Sequence, residues 1–349
     1  MECGIIGLPG SGKTCLFTAL TGSPAVHSGG SNRPNIAVAA IPDPRLTVIA
    51  GYIEPRAVTP ASITFVDIPG NDHGAGATKS GPLLAHVRQV DAICEVVRCY
   101  DGTDAQRDVI RLEEELVLAD MAVVEPALDK ARRTARTGLA EAKAKVAALE
   151  KASAVLGEAR PIRTVTDFTP GEDAIVRGLG LITAKRMLYV ANVSEDDLAG
   201  ESSSARAVRD FAAANDGEAV VLCALLESEL AELDEADRDE MLEGMGLSEP
   251  AIGPLARGVC RLLGLRTFYT VGEKEVRAWT VSETATAPEA AGVIHTDMQR
   301  GFIRAECYHV DDLVELHDEK SIKAAGRLRT EGKSYHVRDG DIMHMLFNV

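Results

Sequence analysis

Hydrophobic residues are concentrated in short runs along the chain, and each run ends in a polar or glycine-containing loop. The strongest runs cover residues 3–6, 61–68, 91–100, 186–191 and 219–224. A strand that helices cover on both faces reads as a nearly continuous apolar run, whereas a half-exposed strand alternates, as residues 36–41 do. The pattern therefore predicts an α/β fold with a doubly wound, mostly parallel sheet.

Between residues 106 and 157 the hydrophobic period becomes that of a helix. Apolar residues recur three and four positions apart in two stretches, first Leu112, Leu116, Ala119 and Val123, then Leu139, Ala142, Val146 and Leu149. Thr137-Gly138 is a suitable reversal between them, and Pro126 is expected to kink or restart the first helix. Predicted strands lie on both sides of this region, so we interpret it as an inserted, coiled-coil-like α-helical hairpin.

From residue 265 the pattern is one of short strands with a short helix at 287–295, which predicts a small α+β domain. We predict that residues 1–105 and 186–263 form the two parts of the sheet domain. The inserted hairpin is predicted at 106–185 and the C-terminal domain at 264–349. Within the latter, His295 and Asp297 are interpreted as structural, because no cysteine or metal ligand stands beside them.

Composition limits the class of partner. The net charge of −16 over 349 residues disfavours indiscriminate binding to nucleic acid and gives no support for a DNA partner. Seven scattered cysteines without a C-x-x-C pair predict reduced thiols. No apolar run approaches the roughly 18 residues of a membrane helix, and the immediate start of a strand leaves no room for a signal peptide. We expect a cytoplasmic monomer without a membrane segment.

One basic cluster stands out from the acidic chain, near the predicted reversal of the hairpin. It consists of Lys130, Arg132, Arg133, Arg136, Lys143, Lys145 and Lys151. Such a cluster is either a solvated helical face or a contact for RNA or another acidic partner, and the sequence leaves both interpretations open.

The most specific motif is the segment from Gly7 to Thr14, which fits G-x-x-x-x-G-K-[ST] at every position. It stands between a predicted strand and a predicted helix, as a phosphate-binding loop requires. The residues predicted to wrap a polyphosphate are Pro9, Gly10, Ser11, Gly12, Lys13, Thr14 and Cys15. We expect Lys13 to neutralise charge on the β- and γ-phosphates, and the Thr14 hydroxyl to bind Mg²⁺.

Two later segments occupy the positions at which nucleotide switches hold Mg²⁺ and contact the γ-phosphate. Asp67 ends an apolar strand and begins D-x-x-G, so we predict that it holds Mg²⁺ through water and that Gly70 senses the γ-phosphate. The Gly/Ser-rich stretch after the phosphate loop corresponds to a first switch. There Ser31 or Ser28 is a candidate ligand for Mg²⁺, and a solvated serine is the alternative.

A candidate base pocket follows two other strands. Asn192-Val193-Ser194-Glu195 comes directly after the strand at 186–191, at the sheet edge where ligands bind in doubly wound folds. We expect this tetrapeptide to meet the nucleotide base. Cys223-Ala224-Leu225, at the end of the next strand, is predicted to close the pocket through backbone groups.

The chain resembles the YchF / Obg-like ATPase family over essentially its whole length. Besides the phosphate loop, the segments that carry the resemblance are 42–46, 65–68, 96–99, 192–195, 274–279, 295–297, 301–306, 339–341 and 347–349. The resemblance implies a P-loop GTPase domain of the translation-factor class, an inserted helical hairpin and a C-terminal TGS (β-grasp) domain. It also implies that the chain binds Mg²⁺-nucleotide, hydrolyses ATP in preference to GTP, and associates with the ribosome or ribosomal RNA.

The base preference has a physical reason. GTPases of this class carry N-K-x-D, whose Asp accepts from two guanine N–H groups that adenine lacks. Here Val193 and Glu195 replace the Lys and the Asp, and the longer carboxylate is not expected to superpose on the shorter one. That replacement removes the reason to exclude ATP, while Asn192 keeps an amide that can address the base. GTP remains an alternative if Glu195 accepts from guanine.

Departures from the family pattern concern hydrolysis more than binding. Gly10-Ser11 stands where the family has Asn-Val, Pro69 and Asn71 alter the second switch, and Glu95 replaces a His that many members carry. Asn71 occupies the position of the water-orienting Gln of ordinary GTPases, but its side chain is one carbon shorter.

We therefore predict a Mg²⁺-dependent ATP-binding protein and slow ATPase that acts as a ribosome-associated nucleotide switch. Its predicted catalytic residues are Lys13, Gly70 and Asn71. The alternative from another class is a non-hydrolysing, nucleotide-gated module that binds ribosomes or RNA.

Overall fold

The structure is a computed structural model that describes residues 1–22, 34–68, 81–136 and 139–348. The strands are β1 (Glu2–Ile6), β2 (Asn35–Ala40), β3 (Val58–Thr59), β4 (Ser62–Asp67), β5 (Ala92–Arg98), β6 (Met187–Asn192), β7 (Glu218–Leu222), β8 (Leu265–Thr270), β9 (Val276–Ser282), β10 (Phe302–His309), β11 (Arg329–Glu331) and β12 (Asp341–Phe347). The helices are α1 (Lys13–Thr21), α2 (Pro44–Ile53), α3 (Gly81–Gln89), α4 (Ala105–Ala135), α5 (Ala140–Gly157), α6 (Pro170–Arg177), α7 (Ser203–Ala214), α8 (Ala224–Glu232), α9 (Glu235–Gly244), α10 (Ile252–Leu262), α11 (Ala287–Ile294), α12 (Thr296–Arg300), α13 (Val310–Leu316) and α14 (Glu319–Ala324).

Internal contacts group the chain into two compact units. One comprises Met1–Ala37 and Thr64–Leu255, and the other Val38–Ile63 and Ala256–Val349. The four-segment division made from the sequence stays a prediction. The sequence pattern gave no sign that residues 38–63 group with the C-terminal third of the chain.

The first sheet has the strand order β2-β4-β1-β5-β6-β7. β1 is parallel to both of its neighbours, β4 and β5, and β6 is parallel to β5 and β7. The carboxyl ends of these five strands therefore share one edge, as predicted. β6 is buried at every position, which explains why its sequence is a continuous apolar run.

The hairpin is formed by α4 and α5, and the predicted restart at Pro126 does not occur. α4 is one helix from Ala105 to Ala135 with Pro126 inside it. A proline there removes a helical hydrogen bond at a cost of about 3 kcal/mol. Buried residues on both sides of it offset that cost: Val124 belongs to a core cluster with Ala152, and Leu128 to another with Leu149. None of the described helices combines the length and apolarity needed to cross a membrane.

The second sheet has the order β11-β10-β12-β8-β9-β3 and contains both parallel and antiparallel pairs. Its core includes the buried rings of Phe268 and Phe302 and the alanine-rich face of α11. His295 Nδ1 accepts from the Asp297 backbone N–H at 3.2 Å and so caps α12. This contact is consistent with the structural interpretation of the two residues.

Candidate functional site

The phosphate loop, residues 7–14, joins the end of β1 to the start of α1. The strand is anchored by fully buried Cys3 and Ile5, and the helix by Leu16 and Phe17. Gly12 is the N-cap of α1, so the positive end of the helix and its free N–H groups begin within the loop. The strand–loop–helix arrangement predicted from the motif is present.

Two glycines are required by close approach. A Cβ on Gly12 would lie 2.2 Å from Asn192 Nδ2, and Gly12 also has a left-handed φ of 91°. A Cβ on Gly7 would lie 2.5 Å from Ser11 Oγ and 2.6 Å from the Val96 carbonyl oxygen. The loop is therefore packed tightly against the ends of β5 and β6.

Asn192 is the last residue of β6, and its side chain holds the phosphate loop in place. Its Nδ2 donates to the Ser11 carbonyl oxygen at 2.8 Å, and its Oδ1 accepts from the Ala224 backbone N–H at 2.9 Å. The residue is only 4 % exposed. The amide thus links the loop to the start of α8. Its role in reading the base stays a prediction.

The two residues that replace the Lys and Asp of N-K-x-D have different environments. The Val193 side chain is 1 % exposed and belongs to the hydrophobic core, and its N–H donates to the Leu222 carbonyl. Glu195 is exposed and begins a short 3₁₀ turn, Glu195–Asp197. Of these two predicted ligands, only Glu195 presents a side chain at the surface.

The predicted pocket-closing residues lie at the start of α8. Cys15 Sγ donates to the Ala224 carbonyl oxygen at 3.0 Å, which ties α1 to α8. Burial raises the pKa of the Cys15 and Cys223 thiols, so both are protonated and unreactive near neutral pH. Leu225 is 58 % exposed. It thus offers an apolar surface beside polar backbone groups.

Asp67 ends β4, in register with Ile5 of β1 and so beside the strand that enters the phosphate loop. It is 4 % exposed; its Oδ2 accepts from Asn35 Nδ2 at 3.3 Å, and its Oδ1 has no hydrogen-bond partner in the described part of the chain. A buried carboxylate oxygen without a partner suits a hydrated Mg²⁺, which proteins hold with one or two oxygen ligands plus phosphate oxygens. The residues present therefore fit the predicted metal.

Lys13 is half-buried at the first position of α1. Burial lowers the pKa of its ammonium group, and the nearby Asp67 carboxylate opposes that shift. An arriving polyphosphate would favour the charged form further. Ser31, Gly70 and Asn71 lie outside the described residues.

Two residues beside the loop had no predicted role. Tyr100 Oη donates to the Gly10 carbonyl oxygen at 2.7 Å, and the Arg98 guanidinium lies over the Tyr100 ring, 5.9 Å from its centroid. Arg98 is the last residue of β5, and Tyr100 lies two residues after it. The only sequence signal was the 96–99 segment of the family resemblance, which does not say what these side chains contact.

The comparisons with known proteins cover the whole chain. Residues 2–125 match the family model described as 50S ribosome-binding GTPase, and residues 265–348 match the YchF-GTPase C-terminal model, described as a protein of unknown function. The Ribosome-binding ATPase YchF of Haemophilus influenzae is 40 % identical, over 100 % of this chain and 99 % of that protein. The chain belongs to the YchF family. The relative of the same name from Bacillus subtilis is 38 % identical over 100 % of both chains.

A solved member of the YchF family supports the fold. The structure of the Schizosaccharomyces pombe YchF GTPase superposes with a TM-score of 0.87 at 31 % sequence identity, covering 99 % of this chain and 97 % of that one. The predicted fold class, a P-loop GTPase domain in an α/β protein of the YchF family, is confirmed.

Proposed function

We propose that this chain is a Mg²⁺-dependent ATPase that binds ribosomes, and that its nucleotide state alters its ribosome contacts. The observation that carries the proposal is the arrangement of the phosphate loop. Asn192 hydrogen-bonds to the loop, and the buried carboxylate of Asp67 has one oxygen without a hydrogen-bond partner among the described residues. The YchF relatives are named ribosome-binding ATPases, which supports both halves of the proposal.

The chemistry is electrostatic and positional. The loop backbone, the N-terminus of α1 and Lys13 would bind the polyphosphate, while Thr14 and, through water, Asp67 would hold Mg²⁺. When bound, Mg²⁺ supplies further neutralisation of phosphate charge. Gly70 and Asn71 are proposed to meet the γ-phosphate and the attacking water. Water attacks the γ-phosphorus in line with the bond to the leaving ADP; as the new O–P bond forms that bond breaks, which gives ADP and phosphate.

The preference for ATP rests on what replaces N-K-x-D. Val193, which replaces the Lys, is part of the core. Glu195, which replaces the Asp acceptor, stands on an exposed turn, and its longer side chain is not expected to place the carboxylate where the Asp pairs with two guanine N–H groups. Asn192 is proposed to keep one amide hydrogen for the base. GTP hydrolysis is the outcome expected instead if the Glu195 carboxylate reaches the guanine edge.

The ribosome contact is proposed at the hairpin tip and to involve ribosomal RNA. Of the seven basic residues there, Arg132 pairs with Glu150 at 2.9 Å and Lys151 with Asp167 at 3.0 Å. The other five are exposed and form no ion pair within the described residues: Lys130, Arg133, Arg136, Lys143 and Lys145. Unpaired cations on an acidic protein suit phosphate contacts. We further propose a monomer, since the loop and its braces come from one chain.

Single-turnover phosphate release from ATP with Mg²⁺ tests the enzymatic half of the proposal. The wild type is expected to release phosphate slowly, and Lys13→Ala to release none above background. If ATP binds but the wild type matches K13A, the chain is a non-hydrolysing module. Co-sedimentation with ribosomes in ADP and in a non-hydrolysable ATP analogue tests the switch. Equal binding in the two states would contradict it.

A further inference from the structure

A buried cluster of polar and charged side chains lies between the central sheet and α4. Arg163 Nη2 donates to Glu113 Oε2 and to Tyr189 Oη, each at 2.7 Å, and Tyr189 Oη donates to the same Glu113 oxygen at 3.1 Å. The side chains of Arg163 and Glu113 are 3 % and 5 % exposed. A pair this deeply buried is expensive to form and depends on exact partners.

Glu95 is a second buried carboxyl group beside this cluster. It is 1 % exposed and stands in register with Tyr189 of β6 and Ile6 of β1. Its Oε2 has no hydrogen-bond partner among the described residues, and the same holds for Glu113 Oε1 and Arg163 Nη1. Buried polar atoms without partners are rare, so three in one cluster call for a functional explanation.

Glu95 also borders the phosphate loop. It lines a small crevice together with Leu8, Pro9 and Ser11 of the loop, and Asp108 of α4 forms another part of the wall. Ser11 is 2 % exposed, and its Oγ likewise has no partner within the described chain. The crevice therefore has an unpaired polar atom on the loop side and another on the β5 side.

Arg163 acts on both Glu95 and Glu113, whereas Arg98 borders the crevice. Arg163 is committed to Glu113, so an ionised Glu95 would place an uncompensated negative charge behind a loop that binds polyphosphate. Burial raises the pKa of Glu95 well above its ordinary range, Glu113 raises it further, and Arg163 opposes both. This environment favours the neutral acid over the carboxylate at Glu95.

We propose that Glu95 is a positioning residue for nucleotide binding, which links Ser11 of the phosphate loop to the Glu113–Arg163 pair of the inserted helical region. This inference rests on the proposed function, since it assumes that residues 7–14 bind ATP. As a neutral acid Glu95 adds no charge behind the loop. When it ionises, repulsion of the polyphosphate weakens ATP binding.

Other titratable and charged groups lie near Glu95, on the neighbouring elements and on its own strand. They are Asp108 and Glu113 on α4, Arg163 after α5, Tyr189 on β6, and Cys94 and Arg98 on β5. Burial raises the pKa of Cys94 to about 12 and raises that of Tyr189, so neither ionises in mildly alkaline solution. Burial lowers the pKa of Arg163, but Tyr189, Glu113 and Glu95 together outweigh it and raise the pKa, so the guanidinium stays charged. Cys94, Tyr189 and Arg163 therefore keep their charge state over this pH range, and their titration would not explain a change in ATP affinity there.

The test is the affinity for MgATP, measured by calorimetry from about pH 7 to about pH 9.5 on the full chain. We expect the wild type to bind about tenfold more weakly at the alkaline end, the effect of one uncompensated charge at a buried site. Glu95→Gln keeps the shape of the neutral acid and cannot ionise, so most of this loss should disappear. Glu240→Gln, an exposed carboxyl change on α9, is the matched control and should behave as the wild type. Lys13 also titrates towards alkaline pH, but its contribution is common to all three proteins.

A second variant changes the surroundings of Glu95 and leaves Glu95 itself in place. Glu113→Gln removes the repulsion and frees Arg163 to pair with Glu95, so the alkaline loss of affinity should begin at lower pH. This arm decides the matter if E95Q does not fold. Identical pH profiles for the wild type and folded E95Q, or an unmoved profile in E113Q, overturn the inference. Failure of the wild type to bind ATP at any pH would instead overturn the proposed function.

Discussion

The Asn192 side-chain amide donates to the backbone carbonyl of Ser11 at 2.8 Å. A residue at the end of β6 therefore holds the phosphate loop that follows β1, although β5 lies between these two strands in the sheet. The same side chain accepts from the Ala224 N–H. Loop position and the start of α8 are thereby tied to one buried amide. Changes at Asn192 should therefore affect both ATP binding and folding.

Asn192→Asp tests this link. The substitution keeps the oxygen that accepts from Ala224 but replaces the donor to Ser11 with a carboxylate oxygen, which faces another oxygen. We expect ATP affinity to fall at least about tenfold and the free energy of unfolding to fall by about 1–3 kcal/mol. Fluorescence titration with a labelled ATP and urea unfolding measure the two effects. Asn348→Asp, at an exposed position, should change neither, and unaltered ATP affinity in N192D would contradict the bracing role.

Gly12→Ala tests the close approach of the loop to Asn192. The added methyl would lie 2.2 Å from Asn192 Nδ2 at a residue with a φ of 91°, so the loop must move and ATP binding should be lost. Gly22→Ala is the matched control, because Gly22 has a φ of 60° but nothing within 4 Å of an added Cβ. G22A should cost about 1 kcal/mol of stability and leave ATP affinity unchanged. Equal affinities of G12A and G22A would argue against tight loop packing.

The fit of Asp67 to Mg²⁺ predicts a metal-dependent phenotype. Asp67→Asn removes the negative charge at the end of β4 but keeps a similar shape, so the Mg²⁺-dependent gain in ATP affinity should shrink by about tenfold or more. ATP affinity in EDTA should be unchanged or slightly better, since a charge that repels phosphate is gone. Calorimetric titrations with and without Mg²⁺ separate the two effects. Asp91→Asn, a loop residue that accepts from the Glu2 N–H, serves as the control.

The hairpin tip is expected to contribute to ribosome binding through phosphate contacts. Charge reversal of Arg133, Lys143 and Lys145 should weaken co-sedimentation with ribosomes about tenfold or more and reduce the salt dependence of what remains. All three residues are exposed, so folding should be unaffected.

A matched control reverses three exposed cations elsewhere in the same unit, Arg107, Arg111 and Arg206. It changes the net charge by the same amount and should leave ribosome binding close to that of the wild type. Equal losses of ribosome binding in the two triple variants would indicate a general effect of net charge. The basic residues at the hairpin tip would then be interpreted as a solvated helical face.

Local features of the site were predictable because their causes are local. The strand–loop–helix at residues 7–14 and the positions of Asp67 and Asn192 at strand ends follow from apolar runs and motif residues. The prediction that the helix restarts at Pro126 is wrong, because the buried packing of Val124 and Leu128 outweighs the local preference of proline to end a helix. Tertiary packing also creates the buried cluster of Glu95, Glu113 and Arg163, which the sequence did not indicate.

The buried acid cluster illustrates that limit. Glu95, Glu113 and Arg163 come from a strand, a long helix and a short turn, and no periodicity places them together. In the sequence, Glu95 stands out only as a departure from the family pattern. Its shared crevice with Ser11 is visible only in three dimensions.

The central claim is that the phosphate loop binds ATP in preference to GTP, and competition between the two nucleotides tests it most directly. Labelled ATP bound to the wild type with Mg²⁺ should be displaced by unlabelled ATP at a concentration at least about tenfold lower than by GTP. Lys13→Ala should bind neither nucleotide strongly. Displacement by GTP at the lower concentration would contradict the claim and favour the alternative in which Glu195 accepts from guanine.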